Sequence, residues 1–425
     1  GLGHCDSSQT MLSKANMDQI AQLQLRTVAL SEDAEFAIAE HLPEGASAFI
    51  RNGQGLVGFG EAVRLSARGP RRMQELAEAW RALVAKTVVE DQVQQTGSGL
   101  VAFGAFSFAD DSSAESVLVV PKVLLGVRDG RRWVTSVVGE NIDEFWEAKQ
   151  VYRSEQSINL VDGLQTADGF KNSVESALHA IEIGKVDKVV LARDVVSKVA
   201  SNFDNRNALK KMAASYPTCW TYSVDGLFGA SPELLVRVSH KQVSARVLAG
   251  TARRGTDPGI YQAISNALQT SSKNIAEHKF AVASMVEELK KFCTKVDADE
   301  TPFSLSLPNL WHLASDVHAT LHDDASVLDI AAVLHPTAAV AGTPTLVARK
   351  LIGELEPFDR GRYAGPVGWI GADGDGEFAI ALRGAQLSDG QLTAYAGCGI
   401  VAESEPEAEL AETELKFKPI REALA

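Results

Sequence analysis

The chain has 425 residues, 45% of them hydrophobic, enough for a large buried core. Its formal charge is -14, from 55 acidic against 41 basic residues, which excludes the basic stripe that a nucleic-acid surface uses to neutralise phosphates. No stretch approaches the roughly 20 apolar residues that cross a bilayer, and no secretory leader is evident.

In chain order, residues 1–20 lack apolar periodicity and read as a loose tail or a cloning remnant, leaving 21–425 as one domain. VAFGAFSFADD and SVLVVPKVLLGVRDGRRWVTS then read as strand, acidic turn, long strand, Asp-Gly turn at 129–130, strand. A helix is expected over 168–184: Asp168 caps it, Phe170, Val174, Ala177, Leu178 and Ile181 share a face, and Gly184 ends it. KVVLARDVVSKV follows as a strand rich in β-branched residues. Between 219 and 248 the runs CWTYSV and LLVRV read as strands interrupted by the turn-prone GASPE. Segment 273–295 reads as a second helix. GPVGWIGADGDGEFAIALRGAQLSDGQLTAYAG repeats the earlier strand–turn plan, with its Asp-Gly turn at 389–390. The repetition points to an α/β (α+β) body made of two related halves, with the motif-rich part at 165–425. Cys5, Cys219, Cys293 and Cys398 stand far apart without CxxC spacing, so lone thiols in a reducing cytoplasm are expected rather than disulfides or a zinc site.

Three kinds of signal bear on chemistry. Glu277 falls near the start of a helix, and Glu409 and Glu412 are three apart, so on a helix they share a face. Ser404 and Glu407 before them have capping-box spacing. Such acids either complement a helix dipole or supply the oxygen ligands that magnesium requires. Lys188 opens an apolar strand and Glu233 sits in GASPE. Each is either a solvated end group or, if buried, a base or acid shifted toward neutrality. Finally, the glycines of LAGT, YAGPVGWIG and AGCGIV lie between strand-like runs, where they mark bulges or close backbone approach. None forms a nucleotide-binding pattern. The lone His312 in LWHLAS reads by itself as a core residue.

In order and wording these segments resemble the chorismate-utilising enzymes: KVVLAR, GASPELLV, LAGTARRG, SSKNIAEH, LWHLAS, LHPTAAVAGTP, EPFDRGRYAGPVGWIG, FAIALRGA and AGCGIVAESEPEAELAETELKFKP. The resemblance covers about 180–420, with a weaker likeness back to GLVGFGEAVRL. It implies a single body of antiparallel sheets with helices outside and a buried cleft for chorismate. It also implies Mg2+ on Glu277 and Glu412, with Glu409 acting through water. Lys188 resembles the base that activates water for attack at C2, and Glu233 the acid that protonates the departing C4 hydroxyl. Arg383 and Lys416 match positions that hold the pyruvyl carboxylate. Gly250, Thr251, Gly397 and Gly399 match substrate contacts, Tyr363 lies in a matching block, and His312 matches a histidine near the enolpyruvyl group.

Within the family the chain is most similar to isochorismate synthases, which serve menaquinone, siderophore and salicylate routes. Ala249 stands where aminodeoxychorismate synthases carry Lys, and the LLES word of anthranilate synthases is missing. Ala339 matches a small residue of water-using members, so a monomer without an obligatory glutaminase subunit is expected. Salicylate synthase is the nearest alternative, followed by an anthranilate synthase large subunit and a non-catalytic chorismate binder. Asn274, Ala319, Ala338, Arg362 and Cys398 depart from the usual pattern.

Overall fold

The computed structural model describes residues 23–147, 157–253, 257–306 and 310–425; the expected N-terminal tail lies outside them. The first half contains β1 (Gln24–Leu30), β2 (Ser47–Arg51), β3 (Gln54–Phe59), β4 (Val63–Ala67), β5 (Val88–Asp91), β6 (Val101–Ala105), β7 (Ser116–Val120), β8 (Val123–Arg128) and β9 (Arg131–Val137). The second contains β10 (Val161–Asp162), β11 (Lys188–Lys198), β12 (Trp220–Val224), β13 (Leu227–Ser231), β14 (Leu234–Ser239) and β15 (Gln242–Arg253). It continues with β16 (Cys293–Ala298), β17 (Phe303–Ser306), β18 (Leu310–Leu321), β19 (Gly342–Thr343), β20 (Pro366–Gly371), β21 (Gly376–Ile380), β22 (Gly384–Ser388) and β23 (Gln391–Ile400).

These strands form two sheets. One runs β10-β11-β23-β22-β13-β12-β2-β3-β8-β9-β1-β5, with β19 also on β11; the other runs β16-β18-β15-β14-β21-β20-β6-β7-β4, with β17 on β18. Both orders are palindromic in kind. About the β12–β2 junction, β11-β23-β22-β13-β12 answers β1-β9-β8-β3-β2, and about β20–β6, β14-β21-β20 answers β4-β7-β6. The two related halves expected from the repeated plan are therefore present, and the pairing is antiparallel apart from β1 with β5.

Alternation along the strands sets the layers. Phe49, Phe103, Trp133, Trp220, Tyr222, Val367 and Trp369 fill the space between the sheets. Ile50, Val134 and Ala394 belong instead to the core on the outer side of that sheet, which Phe417 and Ile420 of helix Pro406–Leu424 join. Leu118, Val236 and Phe378 of the second sheet pack instead with Leu76, Trp80 and Leu328 from helices Arg72–Lys86 and Val327–Leu334. Helices thus cover both outer faces.

Local chemistry explains the ends of elements and several departures from expectation. Asp129-Gly130 and Asp389-Gly390 have φ of 51, 79 and 50, 73, the positive values that a two-residue type I′ hairpin turn needs. Helix Ala167–Glu182 is capped by Thr166, whose hydroxyl accepts from the Gly169 N–H, and not by Asp168, which lies inside the first turn. The helix expected over 273–295 ends at Leu289, and Cys293–Ala298 becomes edge strand β16, where Val296 and Cys293 alternate inward. Ser404 and Glu407 make no capping box, because the Ser404 hydroxyl accepts from the Val401 N–H and Pro406 opens the helix. Each expected long strand is two strands: β7 and β8 part at Pro121, and β21 and β22 at 381–383, as the chain crosses between sheets. GASPE is not a turn between two strands; LFGAS is strand β13, and Pro232-Glu233 is a third such crossing.

Candidate active site

The second-half crossings build the site. The Ser231 hydroxyl donates to the Ile380 carbonyl at 2.5 Å, the Ile380 N–H donates to the Glu233 carbonyl at 3.0 Å, and the Tyr222 hydroxyl donates to the Leu382 carbonyl at 2.8 Å. These bonds fix Glu233 and Arg383 where the sheets part, and Arg383 accepts a left-handed φ of 52 there. Between the parted sheets lies a cavity of about 700 Å³. Of the expected residues its wall takes Glu233, His312, Ala339, Tyr363, Arg383, Gly397, Gly399 and Lys416.

Lys188 stands directly behind that wall. It opens β11 and is 1% exposed, and its Nζ donates to the Ala338 carbonyl at 2.9 Å and meets His312 Nε2 at 3.4 Å. Because the contact uses the Ala338 backbone, the departure from the family at this side chain removes nothing. Burial pulls the Lys188 amine down to about 7; Glu233 and Glu277 oppose the fall and Lys416 adds to it. Burial acts the opposite way on Glu233, pushing its carboxyl up against the lowering influence of Lys188, Arg383, Lys416 and Arg246. Burial thus moves the amine and the carboxyl toward each other in one enclosure, favouring the neutral form of each.

The other groups are held around this pair. The Lys416 amine donates to the Gly397 carbonyl at 2.6 Å and is pulled down by burial and Arg383. Tyr363, pushed up to about 12 by burial, stacks on Tyr395 at 5.0 Å, and a Cβ on Gly397 would come within 2.9 Å of its hydroxyl. Gly250 has φ +85 at the irregularity between Leu248 and Thr251, so the expected bulge is there. The Thr251 backbone pairs with His312; its side chain lies outside what the structure describes.

The three expected magnesium ligands flank the cavity without forming its wall. Glu409, Glu412 and Lys416 follow one another at i, i+3 and i+7 on helix Pro406–Leu424, and Lys416 feels both carboxylates. Glu277, on helix Ser272–Leu289, accepts from the Gly250 backbone and is pushed up by burial and by Asp187. Among the described residues, no three His, Cys, Asp or Glu side chains are gathered closely enough to hold a metal ion. The donor set nevertheless suits magnesium in kind: it is oxygen only, and in Glu277 it includes a carboxylate that burial and Asp187 push up despite Lys273 and Lys188.

The sequence reading missed part of the wall. Ser244, Ala245, Arg246 and Leu248 of β15 line the cavity, all but Ala245 from alternate positions, and Asp316 and His318 line it from β18. Arg246 pairs with Asp316 at 2.7 Å. Period-two spacing upstream of LAGT was the available signal. Arg362 lies away from the site and instead ties Glu115 to Asp225, with a 2.7 Å ion pair to the latter.

Residues 7–425 match the chorismate binding enzyme family. The chain is 33% identical to isochorismate synthase DhbC of Bacillus subtilis over 346 residues, covering 78% of this chain and 83% of that one. It is 30% identical to isochorismate synthase MenF of the same organism over 403 residues, covering 87% and 85%. Its fold matches the solved structure of MenF, the menaquinone-specific isochorismate synthase from Escherichia coli, with TM-score 0.68 and 24% identity over 97% and 98% of the two chains.

Proposed function

The chain belongs to the chorismate binding enzyme family, and within it we propose an isochorismate synthase that adds water at C2 of chorismate and releases the C4 hydroxyl. One observation carries the choice of residues: burial pulls Lys188 down to about 7 while it pushes Glu233 up, so base and acid are poised together. Chorismate is a dianion, and in a net-acidic protein local cations must hold it. Arg383 and Lys416 bind the side-chain carboxylate at the cavity wall. Glu277 and Glu412, with Glu409 acting through water, would hold the magnesium ion that the family implies, and the ion would supply positive charge for the ring carboxylate. Lys188 takes a proton from the incoming water as oxygen bonds to C2. Both conjugated ring double bonds shift, from C1=C2 to C1=C6 and from C5=C6 to C4=C5, and Glu233 gives its proton to the C4 oxygen, which leaves as water. One water enters and one leaves, so the reaction is an isomerisation.

Gly250, Gly397 and Gly399 let backbone approach the substrate, Ala339 leaves room for water, and Tyr363 shapes the floor. With water as nucleophile no glutaminase subunit is required, and a monomer suffices. Cys219, Cys293 and Cys398 are free, as suits the reducing cytoplasm. No helix of the described residues is long and apolar enough to cross a membrane.

Product analysis by chromatography and mass, with chorismate and magnesium and with or without ammonium, tests the reading. Isochorismate alone is expected; salicylate with pyruvate, anthranilate, or binding without turnover would each overturn it. In the same assay kcat/KM should rise as pH passes about 7, because only the deprotonated lysine is a base. Glu233 must hold the proton it donates, so the profile should also fall as pH rises through that group's raised pKa.

A further inference from the structure

A neutral lysine amine has two N–H bonds and one lone pair, and it acts as a base only when the lone pair faces the proton it removes. Two acceptors surround Lys188 Nζ: the Ala338 carbonyl at 2.9 Å and His312 Nε2 at 3.4 Å. For Nε2 to accept, His312 must carry its proton on Nδ1; the ring hydrogen-bonds to the Gly250 backbone, and because Nε2 faces Lys188 we assign that bond to Nδ1. Burial and the Lys188 charge hold the ring neutral. Gly250 can offer its carbonyl because it takes φ +85, and the space beside it is closed: a Cβ would lie 3.2 Å from Leu313 Cδ1 and 3.3 Å from Asn274. His278 fastens the same bulge, with Nδ1 donating to the Ala249 carbonyl at 2.9 Å and Nε2 meeting the Ser315 hydroxyl at 2.7 Å.

We propose that His312 is a positioning residue for the base: held by the Gly250 bulge, its Nε2 and the Ala338 carbonyl take both N–H bonds of neutral Lys188, leaving the lone pair aimed into the cavity. This rests on the reading of Lys188 as the base and adds a role that substrate contact alone would not give. The charged and titratable groups acting on Lys188 are Glu233, Lys416, Glu277 and His312.

Replacing His312 by Phe keeps an aromatic ring and deletes the acceptor, whereas Gln restores an acceptor oxygen at similar reach. For His312→Phe, kcat should fall about 10- to 100-fold with KM within about threefold, the size of loss that a misplaced reacting group produces. The acid limb of the pH profile should move to lower pH, since the ammonium form loses the stronger hydrogen bond. His312→Gln should recover most of kcat and return the limb. A loss confined to KM, equal losses in both variants, or an unmoved limb would overturn the proposal. Lysine labelled with carbon-13 at Cε gives a readout independent of product: in the substrate-free enzyme the Lys188 titration should shift downward in His312→Phe and not in His312→Gln. That titration decides the positioning role even if the wild type makes a product other than isochorismate, an outcome that would instead count against the proposed reaction.

Discussion

Four of the passages from one sheet to the other, two in each half, are short links furnished with the same kinds of side chain. In the first half Glu61 lies between β3 and β4, and Lys122 between β7 and β8; in the second Glu233 lies between β13 and β14, and Arg383 between β21 and β22. A Cβ on Gly60 would stand 3.1 Å from the Lys122 side chain, so the first-half segments are neighbours too. Their surroundings separate them. Glu61 pairs with Arg64 at 3.5 Å with its side chain 48% exposed, and Lys122 pairs with Glu140 at 3.8 Å with 45% exposed. In the second half the chain between β14 and β20 adds β15 to β18 and helix Ser272–Leu289, where the first half has only helix Arg72–Lys86 and β5 between β4 and β6. That added segment walls in a cavity, and Glu233 and Arg383 face it. A glutamate and a cation at a sheet crossing are common to both halves; enclosure is what converts one pair into an acid and an anion clamp.

The largest expected effect contrasts the two glutamates. Glu233→Gln should lower kcat by about 10²- to 10⁴-fold, the usual contribution of a general acid. Glu61→Gln should leave kcat within about twofold and cost less than about 1 kcal/mol, as expected for an exposed ion pair. Steady-state chorismate turnover and denaturant unfolding of both variants check this. Comparable losses of kcat would show that enclosure is not the difference between the halves.

A smaller contrast concerns the cations. Arg383→Gln deletes charge-assisted hydrogen bonds to a carboxylate, each worth roughly 1.5–3 kcal/mol, so KM should rise about 10- to 100-fold with a lesser change in kcat. Lys122→Gln should change neither. Initial-rate curves decide, and a KM effect at Lys122 would place a second binding surface in the first half.

This division of labour was only partly legible in the sequence. The doubled strand–turn plan and its Asp-Gly turns revealed two halves, because type I′ geometry leaves a residue-level mark at 129–130 and 389–390. The crossings did not show: strand propensity runs unbroken through SVLVVPKVLLGV, and the chain changes sheets there through pairing partners far away in sequence. For the same reason GASPE read as a turn, although Ser231 still pairs with Trp220. Resemblance nominated Lys188 and Glu233, but their opposite shifts come from burial that no local pattern carries. Arg246 escaped notice because its claim rests only on facing the cavity from alternate positions of a long strand.

Where the halves are alike they should also fail alike, and with the smallest effect. Gly130 and Gly390 hold matching places in the β8–β9 and β22–β23 turns, at φ +79 and +73. A methyl at Gly130 would meet nothing within 4 Å, and one at Gly390 only the Val199 carbonyl at 3.9 Å, so sterics beyond the backbone play no part. Gly130→Ala and Gly390→Ala should each cost about 1 kcal/mol for placing an L-residue in the left-handed region. In a chain this large that lowers Tm by only about 1 °C, with kcat unchanged in both. Thermal unfolding of the two variants side by side reads the comparison directly. Equal shifts would mean that the frame is twofold and only its covering differs; a markedly larger loss at Gly390 would mean that building the cavity also altered the frame beneath it.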